Sequence, residues 1–331
     1  MTTVWHPGKL LSTSSGYWQG CTLQAGVRLR VFSELAAGPC SAKVLAEKID
    51  SEPRSTGLLL DALSAMGLVS KQADEYENSV EAQRFLVESS SDYMGHIILH
   101  HHHLVDGWAQ LDSAVKSGQP VTRRSYGAEI ERESFIMGMY NLSMQVAPQI
   151  AAQLDLRDRK LLLDLGGGPG THAVHFCMNN PGLQAVIFDK PTTEPFARKT
   201  VSRFDLSERI DFAGGDFKTD PIPGGPYDVA WLSHILHSNT LYECYRIIDK
   251  CVAAMNNGGL ILIHDFILEN SKAGPEFPAL FSLNMLLAGN GGRSYSQQEI
   301  YDMLIKAGVG QLQHHPFRAK NDSSIISGIV D

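Results

Sequence analysis

Cysteine is sparse. The 331 residues hold five, at Cys21, Cys40, Cys177, Cys244 and Cys251, an odd number with no C-x-x-C pair. A disulfide framework and a thiolate metal site are therefore not expected. Cys244 and Cys251 fall on one face of a helical stretch and read as reduced core thiols. Basic residues are also short, 28 against 36 acidic, for a net charge of −8 and a pI near 5.9. A protein gripping nucleic-acid phosphates needs the opposite balance. No apolar run approaches the ~18 residues of a membrane helix. The opening MTTVWHPGKLL lacks the charged region and long apolar core of a signal peptide. Small molecules and proteins remain as partners, with no membrane, and a reducing cytoplasm as the expected compartment.

What is present is enough apolar material for proper cores, 43% hydrophobic against 19% charged. The length suits two domains of ~100–200 residues each. Residues 1–155 read as mostly helical. Tyr17–Leu35 carries a helical spacing up to the break at Gly38–Pro39. Short helices are expected over Ser41–Ile49 and Ser55–Met66, then two strand-like runs in GLVSKQADEYENS. Helix, helix, hairpin is the winged-helix pattern. Its second helix is apolar (Leu58, Leu59, Leu60, Leu63), and despite Arg54 at its start a packing role is favoured over DNA contact. Further helices are expected over Ser91–Ser117 and Glu129–Leu154. The polar stretch Asp155–Lys160 marks the boundary to a second domain, 156–331.

Beyond Leu161 the pattern alternates between strand and helix. The runs KLLLDLG, LQAVIFD, RIDFAGGD, YDVAWLS and GLILIHDF are short and nearly continuously apolar, with helical segments between them. That combination predicts a mostly parallel sheet covered on both faces, with ligands bound at the carboxyl ends of its strands. In LLLDLGGGPG, Asp164 ends the first strand. Gly166, Gly168 and Gly170 then let the backbone approach a ligand with no Cβ in the way. The dinucleotide fingerprint would place its third glycine at position 171, which is Thr171. Asp189 ends the next strand, where a carboxylate can accept from both ribose hydroxyls. Asp216 and Phe217 follow the third, suited to hydrogen-bond and stack on an adenine. Ser233 ends the fourth. No Lys or Arg lies in the glycine loop, so the nucleoside need not carry phosphate, and a cationic sulfonium suits the acidic rim.

The fourth strand leads into WLSHILHSNTLYECYRIIDKC. Taken with LRVFSELAAGPCSAKVLAEKI, LLLDALSAMGLV, LLLDLGGGPG, GGDF, GGLILIHDFIL and GRSYSQQEIYDMLIKAGV, the ordered series resembles the S-adenosylmethionine-dependent O-methyltransferases. That family includes plant phenolic, acetylserotonin and bacterial antibiotic-tailoring enzymes, and the resemblance covers nearly the whole chain. It implies a Rossmann-like methyltransferase domain preceded by a winged-helix-like dimerisation domain, S-adenosyl-L-methionine as cofactor, a small planar acceptor, and a homodimer through the N-terminal helices.

The family's general base aligns with His237. An imidazole within hydrogen-bond reach can remove the proton that a phenol keeps at neutral pH. His234, three residues earlier, is the rival and otherwise a pocket residue. The first of two acids that hold the base in plant members aligns with Asp265, our candidate for orienting His237; the second falls on Ser294. Ser238 and Asn239 stand where the family has Asp and Trp. The resemblance also places Phe135, Met139 and Met285 in the acceptor pocket, with Trp108 and Met144 as additions. Four consecutive histidines, His100–His103, point in different directions on a helix, and only His100 and His103 share a face. Asp106 could join them, but no recognisable ligand set results, and no metal is expected. Two other readings stay open: methyl transfer to carbon or nitrogen of a tetrapyrrole or heteroaromatic ring, and a non-catalytic winged-helix binding protein.

Overall fold

Proline and side-chain caps start the first helices. Pro7 opens α1 (Pro7–Ser14), where the His6 ring accepts from Lys9 N. The apolar stretch expected as one helix is two, α2 (Tyr17–Arg28) and α3 (Val31–Leu35). Arg30 stands between them at φ 59°. That left-handed residue redirects the chain so that Val31, Phe32 and Leu35 are buried. After β1 (Cys40–Ser41), the Ser41 hydroxyl caps α4 (Ala42–Lys48). The Glu52 carboxylate caps α5 (Pro53–Ala65), accepting from Arg54 N and Ser55 N. A hairpin of β2 (Val69–Gln72) and β3 (Glu75–Asn78) completes a three-stranded sheet of order β1-β3-β2. On α5, Leu60 and Leu63 enter the core as expected. Leu58 instead faces solvent, because two residues along a helix turn a side chain to the far side. Helices α6 (Val80–Phe85), α7 (Gly95–Trp108), α8 (Leu111–Ser117) and α9 (Ala128–Gln153) follow, α7 and α8 replacing the single helix expected there.

This computed structural model describes residues 4–121, 127–289, 291–319 and 322–331. Two compact units emerge, one of Met1–Val105 with Ser125–Asn141, the other of Asp106–Arg124 with Leu142–Asp331. Residues 142–155, read from the sequence with the first half, thus group with the second. Ile150 and Ala151 of α9 lie in the same buried cluster as Leu162.

The second unit is built on seven strands: β4 (Leu161–Leu165), β5 (Gln184–Asp189), β6 (Ile210–Gly214), β7 (Tyr227–Ser233), β8 (Met255–Asp265), β9 (Val309–Arg318) and β10 (Ser324–Val330). Their order is β6-β5-β4-β7-β8-β10-β9. The first five are parallel, while β10 runs antiparallel to both β8 and β9. Successive residues of a strand go to opposite faces and both faces are covered, which is why the central strands are nearly continuously apolar. On one face Leu163, Leu165, Leu232 and Ile263 pack with α12 (Leu241–Ala253) and α14 (Gln297–Lys306). On the other, Leu162, Ile187, Trp231 and Leu262 pack with α10 (Thr171–Asn179) and α11 (Glu194–Arg203). Cys244 and Cys251 are both fully buried on α12. Thr240 with Glu243, and Ser296 with Glu299, form capping boxes that start α12 and α14. Helix α13 (Glu276–Ala288) lies between β8 and α14 in sequence. Among the described residues no helix is long and apolar enough to cross a membrane.

Candidate active site

The strand order changes direction at β4, with β5 on one side and β7 on the other, and the candidate residues gather at the carboxyl ends there. Gly166, Gly168 and Gly170 all have positive φ, 65°, 55° and 76°. At Gly168 a Cβ would meet nothing within 4 Å, whereas at Gly170 it would lie 2.5 Å from Ile187. One glycine therefore faces open space and the other is pressed onto the sheet. Asp189 ties the loop to the next strand. Its Oδ2 accepts from Gly168 N at 2.8 Å and its Oδ1 from Lys190 N at 2.6 Å. Burial raises its carboxyl above the usual range, against the pull of these hydrogen bonds.

Asp164 sits beneath the loop. One oxygen accepts from Ala173 N near the start of α10. The other is buried without a partner, and burial pushes the carboxyl up to about 7. Asp216 accepts from Lys218 N through Oδ1. Phe217 lies beside Gly166, 3.2 Å from where a Cβ would stand. The Ser233 hydroxyl faces a buried histidine: it pairs with His264 Nδ1 at 2.9 Å and lies 3.5 Å from His172 Nε2.

His237 and Asp265 come together from β7 and β8 by register. Ser233 pairs with His264, so the residues just beyond each meet above the sheet edge. His237 follows on a short 3-10 turn, Leu236–Ser238. Its Nδ1 donates to Asp265 Oδ1 at 2.6 Å, and its backbone N donates to Oδ2 at 3.2 Å. The His237 side chain is 10% exposed and that of Asp265 5%. Burial alone would raise the Asp265 carboxyl, but His237 and His234 beside it hold it well below the carboxylate range. The His234 ring lies 4.7 Å from His264 and 4.5 Å from Phe266.

The histidine pair meets an aromatic wall that the sequence reading missed. Phe266 lies nearly parallel to His237 at 5.6 Å, and Phe281 meets it edge-on at 4.8 Å. Phe277 packs on both phenylalanines. The i, i+4 spacing of Phe277 and Phe281 was the available signal. Ser238 and Asn239 turn inward instead of toward the ring, both donating to Ile235 O. Ser294 is fully buried, and its N donates to Ser282.

Of the pocket candidates, Trp108, Met144 and Met285 belong to this unit. Trp108 Nε1 donates to Asn284 on α13, Met144 Sδ lies 3.5 Å from His175 Nε2, and Met285 is buried. Phe135 and Met139 belong to the other unit, where Phe135 packs on His100 at 5.3 Å. His100 and His103 do share a face against α9, His103 lying 3.2 Å from Ser134 Oγ, while His102 pairs with Arg28. Among the described residues the group with metal-ligand geometry is His234, His237 and Asp265, not the histidine run.

A parallel sheet with a glycine loop and acidic strand ends defines a nucleoside-binding α/β fold. The O-methyltransferase domain model matches residues 107–310, and the O-methyltransferase dimerisation domain model residues 11–88. The 3-hydroxy-5-methyl-1-naphthoate 3-O-methyltransferase of Streptomyces sahachiroi is 30% identical over 98% of this chain and 95% of its own length. The tetracenomycin polyketide synthesis 8-O-methyl transferase TcmO of Streptomyces glaucescens is 32% identical over 93% and 92%. The structure of PigF with SAH superposes with a TM-score of 0.88 at 26% identity, over 98% of this chain and all of that one. The chain belongs to the O-methyltransferase family with an N-terminal dimerisation domain. It is an S-adenosylmethionine-dependent O-methyltransferase, which sets aside the reading as a non-catalytic binding protein.

Proposed function

We propose that the enzyme methylates a hydroxyl of a small planar aromatic or polyketide-like molecule, with His237 as general base. The observation that carries this reading is the 2.6 Å contact between His237 Nδ1 and Asp265 Oδ1. With its Nδ1 proton held by Asp265, His237 keeps Nε2 as a free acceptor for the proton of an incoming hydroxyl. Phe266 and Phe281 around the ring suit a flat acceptor. The two Streptomyces relatives, named for a hydroxynaphthoate and for tetracenomycin polyketide synthesis, support the same acceptor class. Trp108, Met144, Met285 and His234, with Phe135 and Met139 of the other unit, are the proposed acceptor contacts.

When bound, S-adenosylmethionine supplies a methyl group already activated on a sulfonium. The glycine loop offers open backbone at Gly168, and Asp164 keeps a buried oxygen without a partner. Both features fit the cofactor. Asp164, Gly166, Gly168 and Gly170 are proposed to receive its amino-acid end, Asp189 its ribose, and Asp216, Phe217 and Ser233 the neighbourhood of its adenine. His237 then has to hold the acceptor oxygen in line, in a site from which water is largely excluded. The dimerisation domain supports a homodimer, and exposed Leu11 and Trp18 on the first two helices suit such a contact.

The test is turnover of hydroxynaphthoates and hydroxylated polycyclic quinones by the wild type and by His237→Ala. The variant should lose ~10²–10⁴-fold in the single-turnover rate while binding S-adenosylhomocysteine normally. An unchanged rate would remove the base role from His237.

A further inference from the structure

The carboxylate at the centre of the site faces a second imidazole. His234 Nδ1 lies 3.7 Å from Asp265 Oδ1, the same oxygen that takes the His237 proton. That nitrogen is buried and has no hydrogen-bond partner. Its residue is also held at φ 59°, where few non-glycine residues rest. An unpaired buried polar atom and a left-handed non-glycine backbone are both unfavourable. The proton transfer proposed above uses neither. One ligand atom each from His234, His237 and Asp265 lies within 4.8 Å of the others.

We propose that His234, His237 and Asp265 form a binding site for a zinc-class divalent transition metal, and that the bound metal switches the enzyme off. Two imidazole nitrogens and one carboxylate oxygen are the donors such ions take, at bonds of ~2.0–2.2 Å. Tetrahedral bonds of that length set neighbouring ligand atoms roughly 3.3 Å apart. The 2.6 Å contact would open and the 3.7 Å gap would close, each by less than an ångström. Magnesium and calcium, which take all-oxygen sets, are not expected to bind. Three protein ligands leave a fourth position open. The metal takes His237 Nδ1 in place of its proton, which moves through solvent to Nε2. The imidazole stays neutral, no electron changes hands, and Nε2–H can no longer accept from a hydroxyl. Binding is independent of the proposed base role; only the inhibition rests on it.

The full-length enzyme, treated with EDTA and desalted, is titrated with Co2+ while its visible ligand-field bands are recorded, then challenged with Zn2+. One equivalent of Co2+ should give the strong bands of a four-coordinate ion, displaced by Zn2+ and untouched by Mg2+. His234→Asn, chosen because asparagine tolerates a positive φ, should fold normally and weaken binding roughly a hundredfold or more. His102→Ala, in the histidine run, should bind as the wild type does. Equal titration of wild type and His234→Asn, or loss of the bands in His102→Ala, overturns the metal site. If His237→Ala loses the Co2+ bands yet keeps turnover, the metal site stands and the base assignment falls.

Discussion

Both carboxylate oxygens of Asp265 are occupied by His237, Oδ1 by the ring Nδ1 at 2.6 Å and Oδ2 by the backbone N at 3.2 Å. Phe266 N adds a third donor to Oδ1 at 2.8 Å. One carboxylate thus holds the backbone turn and the ring tautomer together. An asparagine has a single acceptor oxygen, so in either orientation its NH2 would face an N–H donor. Asp265→Asn is therefore expected to fold but to lower the single-turnover rate by ~10²–10⁴-fold, with S-adenosylhomocysteine affinity retained. Rapid-quench measurement of methyl transfer decides it. A rate like the wild type's would mean that the pair is structural.

The glycine loop separates two costs that are usually confounded. Gly168→Ala meets no atom, and its penalty is the positive φ alone, ~1–2 kcal/mol. Gly170→Ala adds a methyl 2.5 Å from Ile187 at the same kind of φ. It should cost roughly 1–3 kcal/mol more in urea unfolding. Gly168→Ala should instead show its larger effect on cofactor affinity, because its open side is where a ligand would approach. Equal unfolding midpoints for the two variants would contradict this division.

Asp189 already receives Gly168 N and Lys190 N, so it arrives oriented for a ribose. Asp189→Ala should weaken S-adenosylhomocysteine binding by about 10- to 100-fold, the range of one or two hydrogen bonds to a charged acceptor. Calorimetric titration reads this directly. Unchanged affinity would place the ribose elsewhere.

The parts legible in the sequence share a physical cause. Central strands buried on both faces must be nearly continuously apolar, so LLLDL and YDVAWLS could be read without knowing their neighbours. His237 and Asp265 followed from the family resemblance, and the fold gives their contact a reason in the β7–β8 register. Strand β9 escaped notice because an antiparallel return at the sheet edge, as in VGQLQHHPFR, need not be continuously apolar, whereas the buried run SIISGIV of β10, between β8 and β9, carried a signal that the reading passed over. The break at Arg30 was invisible because a non-glycine residue adopts the left-handed turn. His172 and His264 gave no signal either, since only the folded sheet shows them to be buried.

Leu11 on α1 is 71% exposed and Trp18 on α2 64%. Apolar surface of that size, at two positions within the dimerisation-domain match, is expected to be covered by a second copy. In light-scattering chromatography the wild type should elute as a dimer and the double variant Leu11→Glu with Trp18→Glu as a monomer. A variant that remains dimeric would move the interface off these helices.

The buried histidines make a prediction with a definite sign. His264 is fully buried between the hydroxyls of Ser233 and Ser323, and burial holds it well below its ordinary range; His172 is pushed down to about 3. Below pH ~6.5 the unfolded chain takes up protons at these rings that the folded protein refuses. The stability they permit is therefore present above the unfolded value and lost as pH falls toward the folded one. Asp164, raised to about 7, has the opposite slope and would mask the effect in the wild type alone. It is common to wild type and His264→Gln, so it cancels in the difference between them. His264→Gln should be less stable than the wild type at pH 7, and the gap should shrink by about 2 kcal/mol on going to pH 5. Urea unfolding at the two pH values measures it. A gap that stays constant would mean that His264 protonates as readily folded as unfolded, and that burial does not hold the ring neutral.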